Sequence, residues 1–149
     1  MVMTTVSDIL AKKGTAVASI GRDSTVLDAA HAMNERRIGA LVVTEGDSVV
    51  GIFTERDVLT RIVAPQRDPA TTRVAEVMTA SVACCRPDTR LEECRTVMTD
   101  RRIRHLPVVD EGRLVGIITS GDVLASEMAA KNETIEYLHA YVHGPTMDR

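Results

Sequence analysis

Val50-Gly51-Ile52-Phe53-Thr54-Glu55-Arg56-Asp57-Val58-Leu59 returns 65 positions later as Val115-Gly116-Ile117-Ile118-Thr119-Ser120-Gly121-Asp122-Val123-Leu124. The same offset carries Met33 to Met98, Arg36-Arg37-Ile38 to Arg101-Arg102-Ile103, Leu41 to Leu106 and Asp23 to Asp88. About a third of the positions from 16 to 63 equal their counterparts, a density that marks an internal duplication. Whatever the chain does should therefore be sought first in what recurs.

Each quoted stretch reads as a strand that runs into a helix. Val49-Val50-Gly51-Ile52-Phe53 is apolar and β-prone, and a helix starting near Thr54 would carry Val58, Leu59 and Ile62 on one face. In the second copy that helix starts near Thr119 and carries Val123, Leu124 and Met128. Upstream, Ala40-Leu41-Val42-Val43 is joined to its neighbour through Glu45-Gly46-Asp47, a hairpin with glycine in the turn, and Asp110-Glu111-Gly112 serves the second copy. These strands are apolar almost throughout, so both sheet faces should be covered. Further upstream, Val26, Ala29, Ala30 and Met33 fall at helical spacing behind Ser24 or Thr25 as N-cap. Leu91, Cys94 and Met98 repeat that face, with Thr89 and Glu92 as a capping box. Val17-Ala18-Ser19-Ile20 opens the first unit as a short strand.

The expectation is an α+β fold of two β-α-β-β-α units packed about a pseudo-two-fold axis with their sheets facing, since one three-stranded sheet with two short helices has too little core alone. Val6-Ser7-Asp8-Ile9-Leu10 and Val74-Ala75-Glu76-Val77-Met78 read as matching entry helices, and the first copy holds three extra residues between entry helix and strand. Pro65-Gln66-Arg67-Asp68-Pro69 marks the boundary, giving units over 6–64 and 70–130 and a tail over 131–149. In the tail, Ile135, Leu138 and Val142 predict a separate amphipathic helix from Thr134 to Val142, stopped by Gly144-Pro145.

Composition narrows the function. The 149 residues are 44% hydrophobic and 26% charged, as in a globular domain. Aromatics are 2% and the net charge is −3, which leaves few rings to stack on bases and no basic surplus for a phosphate backbone, so nucleic acid is not an expected partner. Cys84, Cys85 and Cys94 are odd in number and two are adjacent, which fits a reducing cytoplasm better than a disulfide framework. No apolar run approaches the roughly 20 residues of a membrane span, and no leader pattern opens the sequence, so neither membrane insertion nor export is expected.

Two motifs in fixed order, each present twice, carry a family resemblance. Gly51-Ile52-Phe53-Thr54-Glu55-Arg56-Asp57 and Gly116-Ile117-Ile118-Thr119-Ser120-Gly121-Asp122 each follow a hairpin, and Arg101-Arg102-Ile103-Arg104-His105-Leu106-Pro107-Val108-Val109-Asp110 leads into the second. From Val6 to Met128 the chain resembles a tandem pair of cystathionine-beta-synthase (CBS) domains, also called a Bateman module, in its free-standing bacterial form. The resemblance implies a regulatory module, not an enzyme, binding an adenosine compound such as AMP, ATP, NAD or S-adenosylmethionine in clefts between the repeats. It implies ribose contacts from Thr54 and Asp57 in one cleft and Thr119 and Asp122 in the other. Backbone at Ala16-Val17-Ala18 and Ser81-Val82-Ala83 would meet the base, and Arg104 and His105 the phosphate. It also implies a disk-like homodimer paired through helices, with Val58, Leu59, Ile62 and Val123, Leu124, Met128 as the expected surfaces, and an unidentified regulated protein.

The residue types suit that chemistry. A carboxylate accepts two hydroxyl donors, as a ribose cis-diol offers, and a helix N-terminus favours negative charge nearby. Thr54-x-x-Asp57 and Thr119-x-x-Asp122 equally fit capping boxes. The first copy has Gly39-Ala40 where the second has Arg104-His105, so the clefts should be unequal, the latter having the stronger phosphate recognition. Arg36, Arg37, Arg101 and Arg102 follow helices, where a cation is favourable without any ligand. Cys84-Cys85 as a redox sensor and His139 with His143 as a metal pair are minor readings. Two rival functions are a constitutive assembly module without ligand and an enzyme acting on nucleotides with His105 as general acid or base.

Overall fold

The computed structural model describes residues 4–143, with side chains through residue 132 and at Leu138. The elements run α1 (Val6–Lys13), β1 (Ser19–Gly21), α2 (Val26–Arg36), β2 (Ala40–Glu45), β3 (Ser48–Thr54), α3 (Glu55–Asp57) continued by a π-helical turn (Val58–Val63), α4 (Val74–Val77), α5 (Leu91–Arg101), β4 (His105–Asp110), β5 (Arg113–Thr119) and α6 (Ser120–His143). This is the expected α+β architecture of two repeats. β2 and β3 pair antiparallel with Ala40 opposite Thr54, and β4 and β5 with His105 opposite Thr119. The two hairpins meet through Leu114, whose amide donates to the Asp47 carbonyl at 3.0 Å.

The cores cross over between the repeats. Val6, Ile9 and Leu10 of α1 are buried with Leu91, Cys94, Met98, Leu106 and Ile118 of the second repeat, whereas Val74 and Val77 of α4 are buried with Val26, Met33, Leu41 and Phe53 of the first. Backbone bonds fix both crossings: Val6 donates to Thr89 at 2.9 Å, Leu91 to Thr4 at 3.0 Å, Val74 to Ser24 at 2.8 Å and Val26 to Thr72 at 2.9 Å. Each entry helix thus completes the other repeat's core, and neither repeat is complete alone.

Several local expectations need correction. The first sheet has three strands, but the second has two, because Cys85 meets Val108 only as an isolated parallel bridge. Cys85 and Val109 exchange one backbone bond of 2.8 Å and Cys85 donates to Pro107 at 2.9 Å, too short a run to make a strand. Residues 17 and 18, read as the start of a strand, precede β1 as irregular chain. Thr89 does not cap α5: Arg90 is its N-cap, and the Thr89 hydroxyl accepts from the Arg86 amide instead. The helix after β3 loosens to i→i+5 bonding, with Ala64 donating to Leu59 at 3.0 Å and Arg67 to Ile62 at 2.9 Å. The separate tail helix is instead the end of one 24-residue helix, since Ala129, Ala130 and Lys131 offer no breaker between the two apolar stretches. The side chains of His139 and His143, and the stop at Gly144-Pro145, lie outside the described residues. Among the described residues no helix is long and apolar enough to cross a membrane.

Candidate functional site

A cleft of about 1250 Å³ opens between the repeats. From the first repeat it is lined by Gly39, Thr54 and Asp57; from the second by Ser81, Val82, Ala83, Arg104 and His105. The sequence motifs are far apart in the chain. They converge because β3 lies against β5, the partner of β4, where the hairpins meet, and because the chain after α4 crosses back to β3. Ile52 and Thr79 exchange two backbone bonds, each 2.9 Å. Gly51 makes that approach feasible: a Cβ there would sit 2.5 Å from Met78 Sδ and 2.9 Å from the Thr79 carbonyl oxygen.

At the first corner, Thr54 and Asp57 form a closed capping box. The Thr54 amide donates to Asp57 Oδ2 at 3.0 Å, and the Asp57 amide donates to Thr54 Oγ1 at 3.3 Å. Asp57 is 6% exposed. Its other oxygen, Oδ1, accepts from the Thr79 hydroxyl at 3.4 Å and lies 3.6 Å from Arg61 Nε. Arg61 also donates to the carbonyls of Val77 and Met78 at 3.0 and 2.9 Å. The π-helical turn holds Arg61, so the carboxylate is gripped from the helix behind it and from the crossing segment. Long contacts to Oδ1 leave that oxygen able to exchange partners at the cleft wall.

At the second corner the box is the same but its surroundings are not. The Thr119 amide donates to Asp122 Oδ2 at 2.9 Å and the Asp122 amide to Thr119 Oγ1 at 3.1 Å. Here Lys13 Nζ donates to Asp122 Oδ2 at 2.8 Å and to the Ile117 carbonyl at 3.0 Å. Burial pushes the Asp122 carboxyl up, but the Lys13 ammonium and the Thr119 hydrogen bonds outweigh it and hold the group below the usual Asp range. Leu10 lies over Gly116, its Cδ2 2.8 Å from where a Cβ would sit. Thus Thr119, Asp122, Ala16, Val17, Ala18 and Ala40 do not line the large cleft, and α1 supplies a cation that already holds the second carboxylate.

His105 sits between the corners. Burial chiefly, then the Arg104 and Lys13 charges, push its pKa below the ordinary value, while Asp122 and Glu55 pull the other way. A neutral imidazole beside an arginine can donate one hydrogen bond and accept another. Cys85 and Cys94 are buried in the second core, where the Cys94 sulfur and burial both push the Cys85 thiol up; Cys84 is exposed and its thiol is pushed up by partial burial. A raised thiol is a poor nucleophile. No three His, Cys, Asp or Glu among the described residues converge as a metal site.

Sequence reasoning missed Lys13, Arg61 and Thr79. Lys13 lies within the three extra residues of the first copy, which lengthen α1 to eight residues against four for α4. That insertion is the signal that could have found it. Arg61 and Thr79 have Ser126 and Gly14 at the corresponding positions, so the repeat itself hides them.

Comparisons with known proteins agree with this arrangement. The chain is 34% identical over 150 residues to the CBS domain-containing protein CBSX3, mitochondrial, of Arabidopsis thaliana, covering 95% of the chain and 73% of that protein. The structure of a candidate signal-transduction protein with CBS domains from Burkholderia ambifaria MC40-6 is 43% identical with a TM-score of 0.80, covering 85% of this chain and 95% of that one. A hexameric CBS-CP12 protein from bloom-forming cyanobacteria is 27% identical with a TM-score of 0.71, covering 95% and 91%. The CBS-domain model itself matches residues 5–64 and again 74–128, and so the chain belongs to the CBS-domain family of regulatory and signal-transduction modules, as a tandem pair.

Proposed function

We propose that this CBS pair is a ligand sensor that binds one adenosine-containing nucleotide, of the AMP, ATP, NAD or S-adenosylmethionine class, in the cleft between its repeats. The observation that carries the reading is that Thr54 and Asp57, Ser81-Val82-Ala83, and Arg104 with His105 line one cavity although they come from three distant parts of the chain. In the bound state the ribose hydroxyls take Asp57 Oδ1 from the long Thr79 and Arg61 contacts, the base lies against residues 81–83, and Arg104 and His105 meet phosphate. The Lys13–Asp122 pair closes the second corner, so the stoichiometry is one per chain. Three free thiols favour a reducing compartment such as the cytoplasm.

Output runs through self-association. Leu59, Val63, Leu124 and Met128 are more than half exposed on the helices that follow the two binding motifs. They form the surface for a homodimer, while Ile62 and Val123, expected there, are buried in the cores instead. Ligand bound beside Thr54 pulls on the helix that carries Leu59 and Val63, so binding changes dimer geometry and, through it, a regulated protein. The test is mass spectrometry of small molecules released from natively purified protein, with calorimetry against adenosine compounds. An adenosine compound at one per chain supports the reading. Consumption of added nucleotide into products would support an enzyme instead. No binding together with an unchanged dimer would support an assembly module.

A further inference from the structure

The cleft wall carries more positive charge than a single phosphate needs. Six arginines line it, Arg56, Arg61, Arg95, Arg101, Arg102 and Arg104, against three carboxylates, Glu55, Asp57 and Glu127. With His105 neutral this is a local charge of +3, in a chain whose net charge is −3. Arg61 pairs with Asp57, and Arg95 with Glu127 at 2.9 Å. Arg56, Arg101, Arg102 and Arg104 have no ion pair among the described residues.

Helix stability explains only part of this. Arg101 and Arg102 close α5, where the helix dipole favours a cation, and they recur as Arg36 and Arg37 in the first copy. Arg56 lies in the first turn of a helix, where the dipole disfavours one. Four of the six cleft arginines, Arg56, Arg61, Arg95 and Arg104, break the repeat, with Gly121, Ser126, Ala30 and Gly39 as counterparts, and they come two from each repeat. A phosphate monoester brings about −1.5 to −2 at neutral pH and each further phosphate roughly one more, so a diphosphate or triphosphate matches the wall and a monophosphate leaves it under-neutralised. Volume agrees, since about 1250 Å³ exceeds the roughly 300–1,000 Å³ of usual small-molecule pockets.

We infer that the cleft takes a ligand carrying two or more phosphates, which, on the adenosine reading above, is an adenosine di- or triphosphate in preference to AMP. The arginine fork suits this, because each guanidinium donates in pairs to phosphate oxygens.

The test is titration calorimetry of the full chain with adenosine, AMP, ADP, ATP and, as an adenosine-free probe, inorganic tripolyphosphate, each at low and high salt. ATP or ADP should bind at least about tenfold tighter than AMP, as one added charge-assisted contact gives, and the gap should narrow with salt. In Arg56→Gln/Arg101→Gln, checked for an unchanged circular dichroism spectrum, the ATP-to-AMP ratio should fall to under about threefold, by loss of the same contact. Arg113→Gln, at the far hairpin, should keep the ratio. AMP and ATP bound within a factor of two would overturn the inference and leave the adenosine reading standing. Tripolyphosphate bound as tightly as ATP, with no binding of adenosine or AMP, would do the reverse. No binding of any probe would overturn both.

Discussion

Replacing the two motif aspartates by alanine separates ribose binding from helix capping. Asp57→Ala and Asp122→Ala each remove the acidic half of a closed capping box, leaving the Thr54 or Thr119 amide without its 3.0 or 2.9 Å acceptor. Loss of a cap costs about 0.5–2 kcal/mol. Asp122→Ala also loses the Lys13 pair, whose side chains are 29% and 22% exposed; solvent screening limits that part to about 0–1 kcal/mol. Without ligand, then, both variants should melt lower by similar amounts, about 2–8 °C for a domain of this size. With nucleotide they should part. At a ligand concentration a hundred times Kd the wild type gains about 2.7 kcal/mol. Losing a charge-assisted bond to the ribose weakens affinity about ten- to hundred-fold, so the gain in Asp57→Ala falls to between about 1.4 and 0.4 kcal/mol. Asp122→Ala keeps the full gain, because its carboxylate is engaged by Lys13 and not by ligand. Scanning calorimetry with and without nucleotide reads both quantities. A full ligand shift in Asp57→Ala, or an equal loss in Asp122→Ala, refutes the assignment of ribose binding to the first corner.

Four further outcomes follow from the same geometry. Lys13→Met should cost little stability, about 0–1 kcal/mol, and raise nucleotide stoichiometry by calorimetry from one toward two per chain; an unchanged value of one would show that Lys13 does not close the second corner. Because the Asp122 carboxyl is held low in the folded chain, the stability gap between wild type and Lys13→Met should be full at neutral pH and vanish as pH falls below about 4. His105 is shifted the same way: its folded pKa also lies below the unfolded value, so the unfolded chain takes the proton first and stability should fall as pH drops through about 6.5. His105→Gln should flatten that slope in denaturant melts, and an unaltered slope would exclude His105 as its source. Gly51→Ala should cost about 1–3 kcal/mol, since the new methyl meets the Thr79 backbone, whereas Gly116→Ala meets only the movable end of Leu10 and should cost less. Equal costs in urea unfolding would contradict the difference in packing.

The duplication made the repeats, the hairpins, the entry helices and the motif corners legible, because apolar periodicity and turn chemistry were each stated twice. What stayed hidden is what the two copies do not share. That α1 completes the second core and α4 the first could not be read from Val6, Ile9, Val74 and Val77, since an apolar helical face does not name its partner. The first strand expected in the second unit failed for want of length: only Cys85 meets β4, and residues with strand propensity do not suffice where the neighbour offers one bridge. Nothing in the sequence pairs Lys13 with a partner; only the fold brings it 2.8 Å from Asp122, 109 positions away. The apolar stripe after each motif was legible as a stripe, but its division into core (Ile62, Val123) and surface (Leu59, Leu124) depended on where the helices settle and, in the first repeat, on the π-helical turn.

The proposed function requires one adenosine nucleotide held in the cleft of Thr54, Asp57, Arg104 and His105. Native mass spectrometry of the intact protein, titrated with ADP and ATP, tests it most directly. One nucleotide per chain, bound to the wild type and to Asp122→Ala but about ten- to hundred-fold more weakly to Asp57→Ala, is the result predicted. No adduct at any concentration, or two per wild-type chain with Asp57→Ala and Asp122→Ala equally weakened, would contradict it.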